Sequence, residues 1–150
     1  MSQSPFNAAE LFANPQDKPG MLAGLRVIEV ADELGEYCGL LLAGLGAEVI
    51  KIEPVGGSPT RSIGPYLGEQ ADPDRSIFFC AYNRGKKSIQ LDLGTAEGQA
   101  ACLQLLGTAD IFLDSTCGQF LSELKPSQSL NKLFPTLITA RITPFGDTGP

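Results

Sequence analysis

Histidine is missing from all 150 residues of this chain. Its absence excludes, within these residues, a Ser-His or Cys-His nucleophile and any histidine-ligated metal. Long apolar runs are missing too, and none approaches the ~20 residues that a bilayer span needs. Positive charge is scarce: 11 Lys and Arg face 17 Asp and Glu, for a net charge of −6. Such a balance argues against a nucleic-acid surface, which needs a basic face. Met1 to Met21 carries only Lys18 as a basic residue and has no apolar leader core, so it is not read as a signal peptide. Residues 1–21 are expected to be a loosely held arm, with one helical turn at Ala8–Phe12. Cysteine is limited to Cys38, Cys80, Cys102 and Cys117, at spacings of 42, 22 and 15 that match no zinc or redox pattern. All four are read as reduced core thiols of a cytoplasmic protein, and no metal is expected. No internal repeat is visible.

What remains has the makings of a globular domain, with 43% hydrophobic and 19% charged residues. Gly24 to Glu53 organises it. Val27, Ile28 and Val30 form one β-branched run, and Val49, Ile50 and Ile52 form another. Between them, Tyr37 to Leu45 is apolar and long enough for about three helical turns, with Gly46 as the stop. A strand-helix-strand unit of this kind is right-handed with parallel strands. Its ligands would sit beyond the carboxyl ends of the strands, near Asp32–Glu36 and Pro54–Ser58. Leu41, in mid-helix, is expected to be buried.

Further along, residues 54–61 and 64–73 are rich in Gly and Pro and read as loops. Ser76–Tyr82 is read as a short helix, with Asp74 or Ser76 as its N-cap. Ser88–Asp92 alternates as a strand. An amphipathic helix follows, from Thr95 as N-cap to Gly107, with Glu97 complementing its dipole. Strands are expected at 109–114 and 136–142, with short helices at 118–124 and 128–134 between them. Alternating strands and helices of this sort build an α/β layered sheet.

Candidate chemistry is sparse. Arg84, Lys86 and Lys87 around Gly85 are the densest positive charge and suit a phosphate-bearing ligand, or else a solvated turn. No dinucleotide fingerprint is present. Glu53, at a strand end, could accept a ribose hydroxyl or pair with a nearby cation, and Asp92 and Asp114 end later strands at the same edge.

Taken in order, several stretches resemble the family III CoA-transferases, which include formyl-CoA transferase and carnitine CoA-transferase, with α-methylacyl-CoA racemase as a relative. They are Leu22–Glu29, Leu45-Gly46-Ala47-Glu48-Val49-Ile50-Lys51-Ile52-Glu53-Pro54, Gly56–Arg61, Asn83–Leu93, Ala109–Leu113 and Phe145–Pro150. The resemblance covers residues 22–150. It implies a Rossmann-like parallel sheet with flanking helices, forming the incomplete N-terminal part of a larger CoA-binding domain. It implies coenzyme A as the carrier, acyl-CoA and a carboxylic acid as substrates, a homodimer, and no nucleic-acid or membrane partner. The family's attacking aspartate, which forms a mixed anhydride with the acyl group, would fall beyond residue 150, so no catalytic residue is expected here. The CoA contacts would fall on Glu33 and Leu34, on Leu91, Asp92, Leu93 and Gly94, and on Ser115, Thr116 and Cys117. Relatives carry basic residues where this chain has Pro54, Cys117 and Glu123. Arg61, Arg84, Lys86 and Lys87 are the cations that would compensate. The alternatives are a non-catalytic half that serves assembly, or the racemase branch.

Overall fold

A computed structural model describes residues 20–68 and 70–146. The turn expected at Ala8–Phe12 lies outside them, as does most of the arm. β1 (Arg26–Val30) and β2 (Glu48–Glu53) flank α1 (Glu36–Gly44). The two strands are parallel, with Val27 opposite Val49 and Glu29 opposite Lys51. The chain turns from α1 into β2 through Gly46, whose φ of 99° lies in the left-handed region where glycine is favoured.

Capping sets the later helices. Ser76, rather than Asp74, starts α2 (Ile77–Asn83), its Oγ accepting the Phe79 N–H at 3.1 Å. Thr95 starts α3 (Ala96–Leu106) in the same way, accepting the Gly98 N–H at 3.1 Å. β3 (Lys87–Gln90) pairs with β2, and β4 (Ile111–Asp114) pairs with the free side of β1. α4 (Gln119–Leu124) and α5 (Leu130–Leu133) lead to β5 (Ile138–Arg141), which pairs with β4. All pairings between these five strands are parallel and the order is β3-β2-β1-β4-β5. Strand order therefore reverses between β1 and β4, and it is there that open α/β sheets offer a crevice.

Side chains alternate across the sheet, which gives it two faces. On one, Ile28, Ile52 and Phe112 pack against Cys102 and Leu106 of α3 and Phe120 and Leu124 of α4. That face is an apolar core. On the other, Val27, Val49 and Leu113 meet Cys38, Leu42 and Ala43 of α1. The same face also carries Glu29 and Lys51, both buried.

Two expectations are corrected. Leu41 is 50% exposed. α1 is apolar around most of its circumference, so its composition carries no phase. The inward residues are those near Cys38 and Leu42, and Leu41 points away from them. Of the cysteines, Cys102 is fully buried, its thiol pushed up to about 12 by burial, whereas Cys38 is half-buried and Cys80 and Cys117 are exposed. Core packing is not their common role. Among the described residues, no helix is long and apolar enough to cross a membrane.

Candidate ligand site at the carboxyl edge of the sheet

Four turns, one after each of β1 to β4, meet at the carboxyl edge and enclose a cavity of about 550 Å³. That is within the range of small-molecule sites. Its apolar lining includes Val30, Ile52, Leu91, Leu93 and Phe120. Its charged lining residues are Asp32, Glu53, Asp92 and Glu123, and no described lining residue is Lys or Arg.

Each turn is pinned by its own polar contacts. The Asp32 N–H donates to Ser115 Oγ at 3.0 Å, and that hydroxyl lies 2.5 Å from Asp32 Oδ1, joining the turns after β1 and β4. Gly35 is required at this junction, because a Cβ there would stand 2.7 Å from Ser115 Oγ and 2.9 Å from the Ala31 Cβ. After β4, Asp114 Oδ1 accepts the Thr116 N–H at 2.8 Å and its hydroxyl at 2.6 Å. Cys117 follows with φ 52°, a conformation uncommon outside glycine, and this places it on the cavity wall. After β3, Asp92 Oδ1 accepts the Gly94 N–H at 2.9 Å.

The wall after β2 hangs from Glu53. Its Oε2 accepts the Ser58 N–H and Arg61 Nε, each at 2.6 Å. Its Oε1 accepts Arg61 Nη2 at 2.8 Å and the Ser88 hydroxyl. Burial alone would raise the carboxyl pKa. The Arg61 guanidinium, the Ser88 hydroxyl and the Ser58 N–H outweigh it and hold the group at about 2. Arg61 in turn lies 3.8 Å over the Phe79 ring and reaches Asp74 at 3.2 Å.

A second polar system lies beneath α1. Lys86 Nζ contacts both Glu29 oxygens, at 2.9 and 2.8 Å, and also the Glu36 carbonyl and Asn83 Oδ1. Lys51 Nζ lies 2.9 Å from Glu36 Oε1 and 2.6 Å from the Ala31 carbonyl. Thr60 Oγ1 donates to the same Glu36 oxygen at 2.6 Å and lies 2.9 Å from Ser58 Oγ, which links this cluster to the wall hung from Glu53. Gly39 makes room for it, since a Cβ there would come within 1.6 Å of Glu29 Oε2. Burial pushes the Glu29 carboxyl up, against the pull of Lys51 and Lys86. Burial also pushes Lys86 down, against Glu29.

The expected site residues therefore divide. Leu91, Asp92, Leu93, Gly94, Thr116 and Cys117 line the cavity together with Asp32, Pro54, Val55 and Ser58. Ser115 is buried and serves as a pin. Glu33 and Leu34 lie on the exposed turn beside the cavity and not in its wall. The cations are elsewhere. Lys86, expected to meet phosphate, has a side chain only 1% exposed, with its donors spent on buried acceptors. Lys87 pairs with Glu48 at 2.5 Å, at the amino end of β3, and Arg84 lies in the exposed turn just before it, so neither is at the carboxyl edge. Arg61 supports the wall through Glu53 without lining the cavity. Glu53 has no free oxygen for a ribose hydroxyl, for the same reason. Gln119 and Phe120, which line the cavity, were not expected there. Their signal is positional, because they open the helix that follows β4 at this edge.

Comparison with known proteins agrees with this architecture. The model of CoA-transferase family III matches residues 22–150. The chain is 44% identical to a succinate–glutarate CoA-transferase of Agrobacterium fabrum, over 91% of this chain and 35% of that protein. It is 40% identical to a succinyl-CoA–D-citramalate CoA-transferase of Chloroflexus aurantiacus, over 90% of this chain and 33% of that protein. The crystal structure of a CAIB/BAIF family protein from Brucella suis superposes with a TM-score of 0.77 at 36% identity, covering 89% of this chain and 36% of that one. The chain thus spans about a third of the length of the curated relatives it matches. On this fold, and over nearly all its described residues, the chain belongs to CoA-transferase family III.

Proposed function

We propose that the intact protein moves coenzyme A between two carboxylic acids, and that residues 22–150 supply one wall of its acyl-CoA site. The observation that carries this reading is the cavity itself. Leu91, Asp92, Leu93, Gly94, Thr116 and Cys117, from turns distant in sequence, converge on it. The attacking carboxylate is an aspartate outside these 150 residues. What this stretch does is bind and orient. Its apolar wall takes the thioester-bearing arm out of water, and the turns after β1 and β4, tied by Ser115, keep the crevice open. The intact protein works as a homodimer in the cytoplasm. Exposed apolar residues Tyr37 and Leu41 of α1, with Leu45 just after it, support an interface there.

Both relatives described above are named for short dicarboxylic acids, so that class is the first to assay. The intact protein should exchange CoA between succinyl-CoA and glutarate or a hydroxylated dicarboxylate, and residues 1–150 alone should show no turnover. Epimerisation of a 2-methylacyl-CoA without exchange would assign it to the racemase branch. Neither reaction, with CoA still bound, would leave the assembly role.

A further inference from the structure

The turn after β2 is held from two sides, and both supports converge on Ser58, a cavity-lining residue that is otherwise buried. Its N–H donates to Glu53 Oε2, at the end of the strand that the turn leaves. Its hydroxyl lies 2.9 Å from Thr60 Oγ1, and Thr60, fully buried, donates to Glu36 Oε1 at 2.6 Å. A hydroxyl has a single proton to give, so Ser58 is the donor to Thr60. The bonds therefore run one way, from Ser58 to Thr60 to Glu36, where Lys51 Nζ meets the same carboxylate oxygen at 2.9 Å. Lys51 Nζ also holds the Ala31 carbonyl at 2.6 Å, and Ala31 lines the cavity directly after β1. One buried ion pair thus fastens Ala31 on the first turn and, through Thr60, Ser58 on the second.

Apolar packing could not replace these holds. An apolar pair in place of Lys51 and Glu36 could stabilise the fold as well, but it would leave the Ala31 carbonyl and the Thr60 hydroxyl without partners. Between Glu53 and Ser58 the chain carries an exposed Val55 and two glycines, Gly56 and Gly57, each at φ 94°, so its place depends on how its two ends are held. We propose that Thr60 is a positioning residue for this site: its hydroxyl sets how the turn after β2 stands against the turn after β1, and with it the grip on acyl-CoA. This deepens the reading of the cavity as an acyl-CoA site and rests on it. Thr60 is not among the described lining residues, so its effect on the ligand passes through Ser58.

The test is calorimetric titration of the intact protein with CoA, alongside amide hydrogen exchange read by mass spectrometry. Thr60→Val keeps the volume and removes the hydroxyl, whereas Thr60→Ser keeps the hydroxyl. Thr60→Val should weaken CoA by about fivefold or more, the worth of a hydrogen bond, and Thr60→Ser should stay within about twofold of the unaltered protein. Exchange should quicken at residues 54–62 in Thr60→Val and stay unchanged at 96–106. Leu106→Ala, which loosens the opposite face, controls for stability alone and should leave CoA affinity within about twofold. The proposal is overturned if Thr60→Val binds CoA as the unaltered protein does, even with faster exchange at 54–62. It is overturned equally if Thr60→Ser binds as weakly as Thr60→Val, or if Leu106→Ala weakens CoA as much. Should Thr60→Val fail to fold, Ser58→Ala cuts the same link from its other end: weaker CoA supports the proposal and unchanged affinity overturns it. If the unaltered protein binds no CoA, the reading of the cavity falls first and this proposal with it.

Discussion

The two faces of the sheet solve the same burial problem differently. Toward α3 and α4 the strands present Ile28, Ile52 and Phe112, and the core is apolar throughout. Toward α1 the same strands present Glu29 and Lys51, which meet Lys86 and Glu36 out of water. An apolar face gains from area removed from water and tolerates approximate fits. A buried ionic face gains little or nothing over an apolar substitute, yet loses heavily when one partner goes. What the second arrangement adds is connection, because it joins β1, β2, α1, the turn before β3 and, through Thr60, the wall of the cavity.

The sharpest way to break that contrast is Lys51→Met. It strands Glu36, whose Oε2 already has no hydrogen-bond partner, and should cost about 3–5 kcal/mol in urea unfolding. A loss below about 1 kcal/mol would mean that the charges are solvated and the two faces alike. On the apolar face, Leu106→Ala opens a cavity at a fully buried position and should cost about 2–5 kcal/mol.

Acid provides a third probe, separating two carboxylates by sign. Glu53 is held low, so its contribution is present above the ordinary carboxylate range and is lost as pH falls from about 4.5 toward 2. Glu29 is pushed up, so it takes its proton first in the fold and its cost eases as pH falls. Glu53→Gln should therefore flatten the acid limb of stability against pH, and Glu29→Gln should steepen it. Equal slopes in both variants would contradict the assignment. The smallest effects belong to the surface. Lys87→Ala breaks an exposed pair with Glu48 and should cost under about 1 kcal/mol, and Leu41→Ala, half in water, should cost no more.

The apolar face was legible from the residues alone. β-branched runs, a Thr N-cap and a closing glycine name their elements, and parallel pairing follows from the strand-helix-strand unit. Convergence of the turns at one edge follows from the same topology, and Leu91–Gly94 and Thr116–Cys117, which the family resemblance had suggested, line the cavity there. The ionic face was not legible. A lysine in a Gly-containing turn looks the same whether it reaches solvent or folds under a helix, and Lys86 does the latter because Glu29, 57 residues away, waits there. Leu41 failed for a related reason, since a helix apolar nearly all round does not announce which side is inward.

Amide chemical-shift mapping of the 150-residue chain on addition of CoA tests the central claim most directly. Shifts gathered at residues 91–94 and 116–120, with Arg84 to Lys87 silent, are the predicted result. Shifts centred on Arg84 to Lys87, with the carboxyl-edge turns unmoved, would contradict it.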